Sequence, residues 1–208
     1  MTLDTQIAAG LKAMQIELPT EASAQLRAHL VLLEKWNRVH NLTAVRDTEQ
    51  MVVLHLLDSL SLLPSLGSAI RVVDVGTGAG FPGIPVAIAR PDASVTLLDS
   101  SHKKCAFLEQ AKAELKLANV AVVCERVEAW KPLETFDVVV SRAFADLSDF
   151  IAQSKHLASP GGRFIAMKGV YPFEEIARLP ASHRVAQVLE LNVPTLDAKR
   201  HLVFLEAA

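Results

Sequence analysis

The sequence predicts a doubly wound α/β fold: a seven-stranded, mostly parallel sheet with helices on both faces and an N-terminal helical extension. Three observations lead there. Beyond residue 67, short β-rich runs alternate with helical stretches at the spacing of βαβ units. Most of these runs are continuously apolar, as strands buried on both faces are. Residues 1–66 instead keep the helical apolar period throughout.

Within residues 1–66, Ala22, Leu26, Leu30 and Leu33 form one helical stripe, with Thr20 after Pro19 as the expected N-cap. A second helix is expected to open at Asp47, with Gln50 placed as in a capping box. It should bury Val52, Leu56, Leu60 and Leu63 and stop at Pro64. No Pro-, Gly- or Ser-rich linker follows, so residues 1–66 are expected to form an extension packed on a catalytic domain at 67–208. The expected strands of that domain are 70–75, 94–98, 120–123, 137–141, 163–167, 185–191 and 202–205. Helices are expected at 82–90, at 101–116 with Cys105, Leu108, Ala111 and Leu115 on one face, and at 147–157. Only the loop 194–200 separates the last two strands. That is too short for a crossover helix, so six strands should run parallel and the last antiparallel.

Composition narrows the function classes. The chain has 208 residues, 50% hydrophobic and 21% charged, which excludes disorder and allows a core without disulfide or metal staples. Lys and Arg total 21 against 23 Asp and Glu, so a broadly basic nucleic-acid binder is excluded. Residues 1–66 carry 5 basic and 7 acidic groups and residues 67–208 carry 16 of each, so any RNA site must be local. Cys105 and Cys124 belong to no Cys/His cluster; they are expected to be reduced core thiols, and no metal is expected. The first ten residues lack the basic and apolar regions of a signal peptide, and no apolar stretch is long enough to span a bilayer. A cytoplasmic protein with no membrane contact is the expectation.

The chemistry concentrates after the first strand, in Asp74-Val75-Gly76-Thr77-Gly78-Ala79-Gly80-Phe81-Pro82-Gly83. Gly78-x-Gly80-x-x-Gly83 matches a dinucleotide fingerprint, whose physical use is a phosphate cradle at a helix N-terminus. The other frame is Asp-x-Gly-x-Gly-x-Gly over 74–80, in which a carboxylate near the turn suits a cationic ligand. S-adenosylmethionine, with an amine, a sulfonium and no phosphate, fits that frame. Asp99 ends the second strand, where a carboxylate can accept both ribose hydroxyls of either cofactor. After the third strand, the Val127 amide and Glu128 side chain are placed to meet an adenine edge.

Asn37-x-x-x-Asn41-Leu42-Thr43, His55-Leu56-Leu57-Asp58-Ser59, the segment 74–85, Leu97-Leu98-Asp99-Ser100, Ser141-Arg142-Ala143-Phe144-Ala145 and Lys168-Gly169 occur in that order. Together they resemble the glucose-inhibited division protein B family, bacterial methyltransferases of small-subunit ribosomal RNA, over essentially the whole chain. Gly80-Phe81-Pro82-Gly83-Ile84-Pro85 is the most specific phrase. The resemblance implies a class I, Rossmann-like methyltransferase that uses S-adenosylmethionine. It would methylate guanine N7 in the decoding-centre loop of 16S rRNA, naked or in the 30S particle, and would act as a monomer. It also implies cofactor contacts from Gly76, Phe81, Val127, Glu128 and Arg142, beside Gly78, Gly80 and Asp99 from the turn and second strand. Leu54 stands where the family often has Arg, which weakens an RNA-contact role at that position. A methyltransferase of another acceptor and a nicotinamide-dependent oxidoreductase are the alternatives.

The residues allow N7 chemistry. Strand four ends in Ser141-Arg142-Ala143-Phe144, without the Asp/Asn-Pro-Pro-aromatic acceptor of exocyclic-amine methylation. Neither cysteine is expected at a strand-end loop beside the cofactor, where carbon-5 methylation needs its nucleophile. Guanine N7 has a lone pair and no proton, so no general base is expected, only positioning by Arg142 and Lys168. Lys103, Lys104, Arg142, Lys168, Lys199 and Arg200 are expected on one rim of the sheet, facing phosphate or guanine O6. Phe144 and Tyr171 are candidate stacking platforms for an unstacked base. His55 and Asp58 share a helical face and are expected to join the extension to the domain. Trp36 and Trp130 are expected to be packing residues.

Overall fold

The computed structural model describes every residue except Met1, Ala143 and Ala145; the two alanines of the 141–145 motif lie outside the described residues. The chain runs α1 (Leu3–Ala13), α2 (Ala22–His40), α3 (Thr48–Met51), a π-helical turn (Val52–Leu57), α4 (Asp58–Leu60) and α5 (Leu63–Leu66) before the first strand. The sheet then alternates with helices: β1 (Arg71–Val75), α6 (Gly83–Ala89), β2 (Ser94–Leu98), α7 (His102–Glu114), β3 (Val120–Val123), β4 (Phe136–Ser141), α8 (Leu147–Ser154), β5 (Ala158–Lys168), α9 (Phe173–Ala177), β6 (His183–Leu191) and β7 (Arg200–Ala207).

The seven strands lie in the order β3-β2-β1-β4-β5-β7-β6. The pairs among β1 to β5 are parallel, and β7 runs antiparallel to both of its neighbours. The strand order therefore reverses between β1 and β4. In such sheets ligands settle beyond the carboxyl ends of the strands at that point. Ser141 ties the two strand ends together there, its buried hydroxyl donating to the Val75 carbonyl at 2.7 Å.

Both faces of the central strands are buried, which explains their unbroken apolar runs. Val72, Val138 and Val140 pack toward the extension, α6 and α7; Val73 and Val139 pack toward α8 on the other face. The stripe Ala22, Leu26, Leu30 and Leu33 of α2 is buried in the same cluster as Val72 and Val95. Each such Leu contributes about 1.5–3 kcal/mol of burial.

Three local expectations change. Helix α2 has Glu21, not Thr20, at its N-cap position and no side-chain cap. The Ala22 amide donates to the Pro19 carbonyl instead, so it needs no side-chain acceptor. Pro64 does not follow a helix end but sits in the first turn of α5, where its missing N–H is harmless. Leu62 and Leu66 then take buried positions while Leu63 is only partly buried. Asp47 does cap its helix, accepting from the Glu49 and Gln50 amides at 2.8 and 3.4 Å. The stripe beyond it passes through a π-helical turn over Val52–Leu57. Strand β5 extends back to Ala158, earlier than its apolar run, because Phe136 and Ala158 pair ahead of an irregularity in the register.

Candidate active site

Three adjoining chambers open along the carboxyl rim of the sheet. The first, about 250 Å³, is lined by Val75, Gly76, Leu98, Asp99, Val127, Glu128 and Phe144 among others. The second, about 180 Å³, includes Leu42, Thr43, His55, Gly76, Gly78, Phe81 and Arg142. The third, about 380 Å³, includes Leu54, His55, Asp58, Arg142, Lys168, Gly169 and Arg200. Gly76 is common to the first two, and His55 and Arg142 to the last two, so the chambers form one trough.

The glycine turn starts the trough. Gly76, Gly78 and Gly80 all have positive φ, at 70°, 63° and 86°. At Gly80 a side chain would also collide with Ile84, so only glycine serves there. The Gly76 and Thr77 amides donate to the Leu98 carbonyl at 2.8 and 3.1 Å, fastening the turn to the end of β2. Asp74 does not face a ligand as the glycine frame suggested. It is fully buried, and its Oδ2 accepts from the Thr77 hydroxyl at 2.6 Å and the Gly83 amide at 2.7 Å. Burial pushes its carboxyl up to about 6, against the lowering effect of those two hydrogen bonds.

In the first chamber Asp99 is almost completely buried. Its Oδ1 accepts from the Ser101 amide at 2.9 Å, and its Oδ2 accepts from the Gly78 amide at 3.0 Å and the Lys104 ammonium at 3.1 Å. Lys104, expected on the RNA rim, thus stands on the chamber wall and holds Asp99. Glu128 is half exposed at the mouth, with Arg126 at 3.5 Å. Phe144, expected as a base platform, lines this chamber and packs on Phe150 with ring centroids 5.3 Å apart.

In the second chamber Phe81 is stacked between two histidines of the extension. Its centroid lies 4.7 Å from His29 and 4.9 Å from His55, and the Arg142 guanidinium sits 5.6 Å above the ring. His29 bonds the Ala79 carbonyl through Nε2 at 3.0 Å, so α2 grips the glycine turn directly. His55 approaches the Thr43 hydroxyl through Nε2 at 2.8 Å and Arg142 Nη2 through Nδ1 at 3.4 Å. Since a guanidinium only donates, Nδ1 accepts and Nε2 carries the proton. Burial, and for His55 the Arg142 charge as well, lowers both imidazoles to about 4.

The third chamber is ringed by cations. Arg142 Nη1 donates to Asp58 Oδ2 and to the Leu54 carbonyl, both at 3.1 Å. Arg200 Nε donates to Asp58 Oδ1 at 3.0 Å, and its Nη1 to the Lys199 carbonyl at 2.9 Å. His55 and Asp58 do meet through the domain as expected, with Arg142 as the shared partner. Lys168 donates to the Phe144 carbonyl at 3.0 Å and pairs with Glu175 at 2.7 Å.

Of the six basic residues expected on one rim, Arg142, Lys168 and Arg200 converge on this chamber. Lys103 is turned to the extension, donating to the His40 carbonyl at 2.6 Å. Lys199 is exposed and pairs with Glu190 at 3.5 Å. Tyr171 is partly exposed beside Phe173, ring centroids 4.2 Å apart, just beyond Gly169. Trp36 and Trp130 pack on Phe107 and Phe136. Cys105 is buried, its thiol pushed up to about 12 by burial first and by Cys124 next. Cys124 departs from expectation: it is only half-buried and directly follows β3, beside the Glu125 of the first chamber. Both cysteines are free, and among the described residues no group of His, Cys, Asp or Glu is arranged to hold a metal.

The sequence reading gave no role to Leu42, Thr43 and His29. The first two were visible only as part of the 37–43 motif. His29 carried no signal, being one polar residue on an otherwise apolar stripe.

The first chamber suits an adenosine, and the second, about 180 Å³, continues from it. Apolar walls from Val75, Leu98 and Val127 fit a purine, Asp99 and Glu128 offer acceptors, and open glycine backbone leads to the second chamber.

A family model described as GidB, rRNA small subunit methyltransferase G, matches residues 22–203. The ribosomal RNA small subunit methyltransferase G of Chromobacterium violaceum is 53% identical over 204 residues, 98% of each chain. That of Laribacter hongkongensis is 53% identical over 203 residues, again 98% of each chain. Among solved structures, the O-methyltransferase TomG of Streptomyces achromogenes, in complex with SAM, superposes with a TM-score of 0.63 at 15% identity, over 100% of this chain and 99% of that one. An O-methyltransferase from Bacillus cereus in complex with SAH gives 0.62 at 18% identity over all of both chains. The two structural likenesses concern the fold.

Proposed function

The chain belongs to the GidB family of ribosomal RNA small subunit methyltransferases, and from that premise we propose that it transfers a methyl group from S-adenosylmethionine to guanine N7 in the decoding-centre loop of 16S rRNA. The observation that carries this reading is the trough itself: an acid-lined chamber joined to a cation-ringed one through a waist of Gly76, His55 and Arg142. Asp99, Glu128, Val127 and the glycines Gly76, Gly78 and Gly80 hold the cofactor, with Phe81 and Arg142 at its far end. When bound, S-adenosylmethionine supplies an electrophilic methyl group on a sulfonium.

The chain's own residues position the base and move no proton. Guanine N7 has no proton to lose, so nothing has to serve as base, and in-line placement alone can contribute roughly 7–11 kcal/mol. His55 fits that economy: it is neutral and committed to Thr43 and Arg142. Arg142 and Arg200 offer guanidinium donors to guanine O6 or a neighbouring phosphate. Lys168, held by Glu175, adds a third cation to the same wall. Phe144 closes the cofactor side, Tyr171 offers a stacking face, and Lys103, Lys104 and Lys199 contribute to the local field over the RNA.

The division into an extension, 1–66, and a catalytic domain, 67–208, is supported by their shared core and by His29 and His55 stacking on Phe81. The extension is thus part of the site. The protein is taken to work as a cytoplasmic monomer on 16S rRNA or the 30S particle; among the described residues no helix is long and apolar enough to cross a membrane.

The test is transfer of labelled methyl to 30S subunits, free 16S rRNA and bulk tRNA, followed by nucleoside analysis. Label in 7-methylguanosine of the small-subunit RNA is expected, and label in any other nucleoside would overturn the assignment.

A further inference from the structure

We infer that Asp58 is a positioning residue for methyl transfer, its buried carboxylate setting the orientation of both arginines that face the third chamber. The inference rests on reading that chamber as the place of the target guanine. Asp58 stands at the end of the π-helical turn, in the extension, and its side chain is 3% exposed. Each oxygen serves a different arginine: Oδ2 takes Arg142 Nη1 at 3.1 Å, and Oδ1 takes Arg200 Nε at 3.0 Å. The two arginines arrive from opposite directions, Arg142 just past the end of parallel β4 and Arg200 at the start of antiparallel β7. Asp58 is the side chain that joins them.

The arrangement leaves a definite set of donors. Arg142 spends Nη1 on Asp58 and Leu54 and Nη2 on His55; Arg200 spends Nε on Asp58 and Nη1 on Lys199. Arg142 Nε and Arg200 Nη2 keep no protein partner among the described residues. Two guanidiniums against one carboxylate leave a net positive charge at the chamber wall, fixed in place before any RNA arrives. A buried ion pair seldom stabilises a fold more than apolar residues of the same size would. Its use here is preorganisation: arginine side chains that would otherwise sample many rotamers are held ready to donate. Asparagine keeps the shape but has a single acceptor oxygen, so it can serve only one arginine and turns an amide N–H₂ toward the other.

The experiment compares wild type, Asp58→Asn, Arg200→Ala and the double variant. It measures methyl transfer to the small-subunit RNA substrate and, separately, adenosylhomocysteine binding. Each single substitution is expected to lower kcat/KM by about thirtyfold or more, with adenosylhomocysteine binding changed by less than about threefold. Because Asp58 acts in part through Arg200 and in part through Arg142, the double variant should fall below either single but well short of the product of the two losses. Losses that multiply, or an Asp58→Asn protein with wild-type kcat/KM, would overturn the inference. If Asp58→Asn does not fold, the nitrogen-15 spectrum of the wild type decides. The Arg200 Nε–H signal, assigned by its loss in Arg200→Lys, should exchange slowly with water, and exchange at the solvent-exposed rate would overturn the clamp. Wild type that labels no 7-methylguanosine would strike the proposed reaction, while that spectrum still judges the clamp.

Discussion

The first and third chambers are built in opposite ways. In the first, acids line the cleft and a lysine steadies one of them: Asp99 and Lys104 stand together on the wall, 3.1 Å apart. In the third, cations face the cleft and one buried acid steadies two of them. Their origins in the chain differ as well. The first draws on short stretches at the ends of β1, β2 and β3, where Gly78, Asp99, Ser101 and Lys104 bond within a few tens of residues. The third is tied by contacts between residues 84 and 142 positions apart. Local assembly suits a pocket at strand ends that many sheets of this kind reuse, and long-range assembly makes the third chamber depend on the whole fold being complete.

The largest effect should follow from Arg142, which belongs to two chambers at once. Arg142→Ala is expected to lower kcat on the RNA substrate by between about a hundredfold and a thousandfold, as loss of a fixed donor at a reacting group does. A loss confined to KM would mean that Arg142 serves the third chamber alone.

Two sets of buried groups around the glycine turn should also respond to pH with opposite sign. His29 and His55 titrate in the folded protein at about 4, below the ordinary 6.5. Between those values the unfolded chain binds more protons, so their contribution, full above 6.5, is lost as pH falls through about 4. Asp74 titrates at about 6, above 3.8, so its contribution is present below 3.8 and lost as pH rises through about 6. Urea melts from pH 4 to 8 on wild type, His29→Gln and Asp74→Asn measure both signs. A His29→Gln protein whose stability keeps the wild-type slope on the acid side would remove His29 from this account.

A smaller effect separates the chambers by ligand. Asp99→Ala should weaken adenosylhomocysteine binding by about 1.5–3 kcal/mol, the range for a charged hydrogen-bond acceptor. Calorimetry should find RNA affinity unchanged. The least effect is expected at Lys199, an exposed partner of Glu190: Lys199→Ala should change stability by less than about 0.5 kcal/mol. A large loss of RNA binding there would widen the substrate wall beyond the third chamber.

This difference in assembly also explains what could be read from the sequence. The seven strands and the antiparallel β7 followed from apolar runs and one short loop, since both are local signals; the order of the strands in the sheet was not among the expectations. Asp99 and the glycine turn were legible for the same reason. The pairing of Lys104 with Asp99 was not, because a helical lysine looks solvated until the fold turns it inward. Nor was the parting of the six basic residues: position along the rim says nothing of rotamer, so Lys103 bonding the His40 carbonyl and Lys168 bonding Glu175 emerge only in three dimensions. Asp58 looked like half of a pair with His55, four residues of one helix at most. Its arginines lie too far along the chain for any spacing rule to find.

Strand β7 lies between β5 and β6, although it follows both in the chain. Strands β5 and β6 therefore share no partner until the last strand is made and β7 pairs with both. Until then each presents a bare edge, and Arg200 has not yet been delivered to Asp58. A nascent chain arrested before residue 200 would thus carry every residue that lines the first two chambers and lack one arginine of the third. Of the three chambers, only the third takes a lining residue, among the described residues, from the last strand.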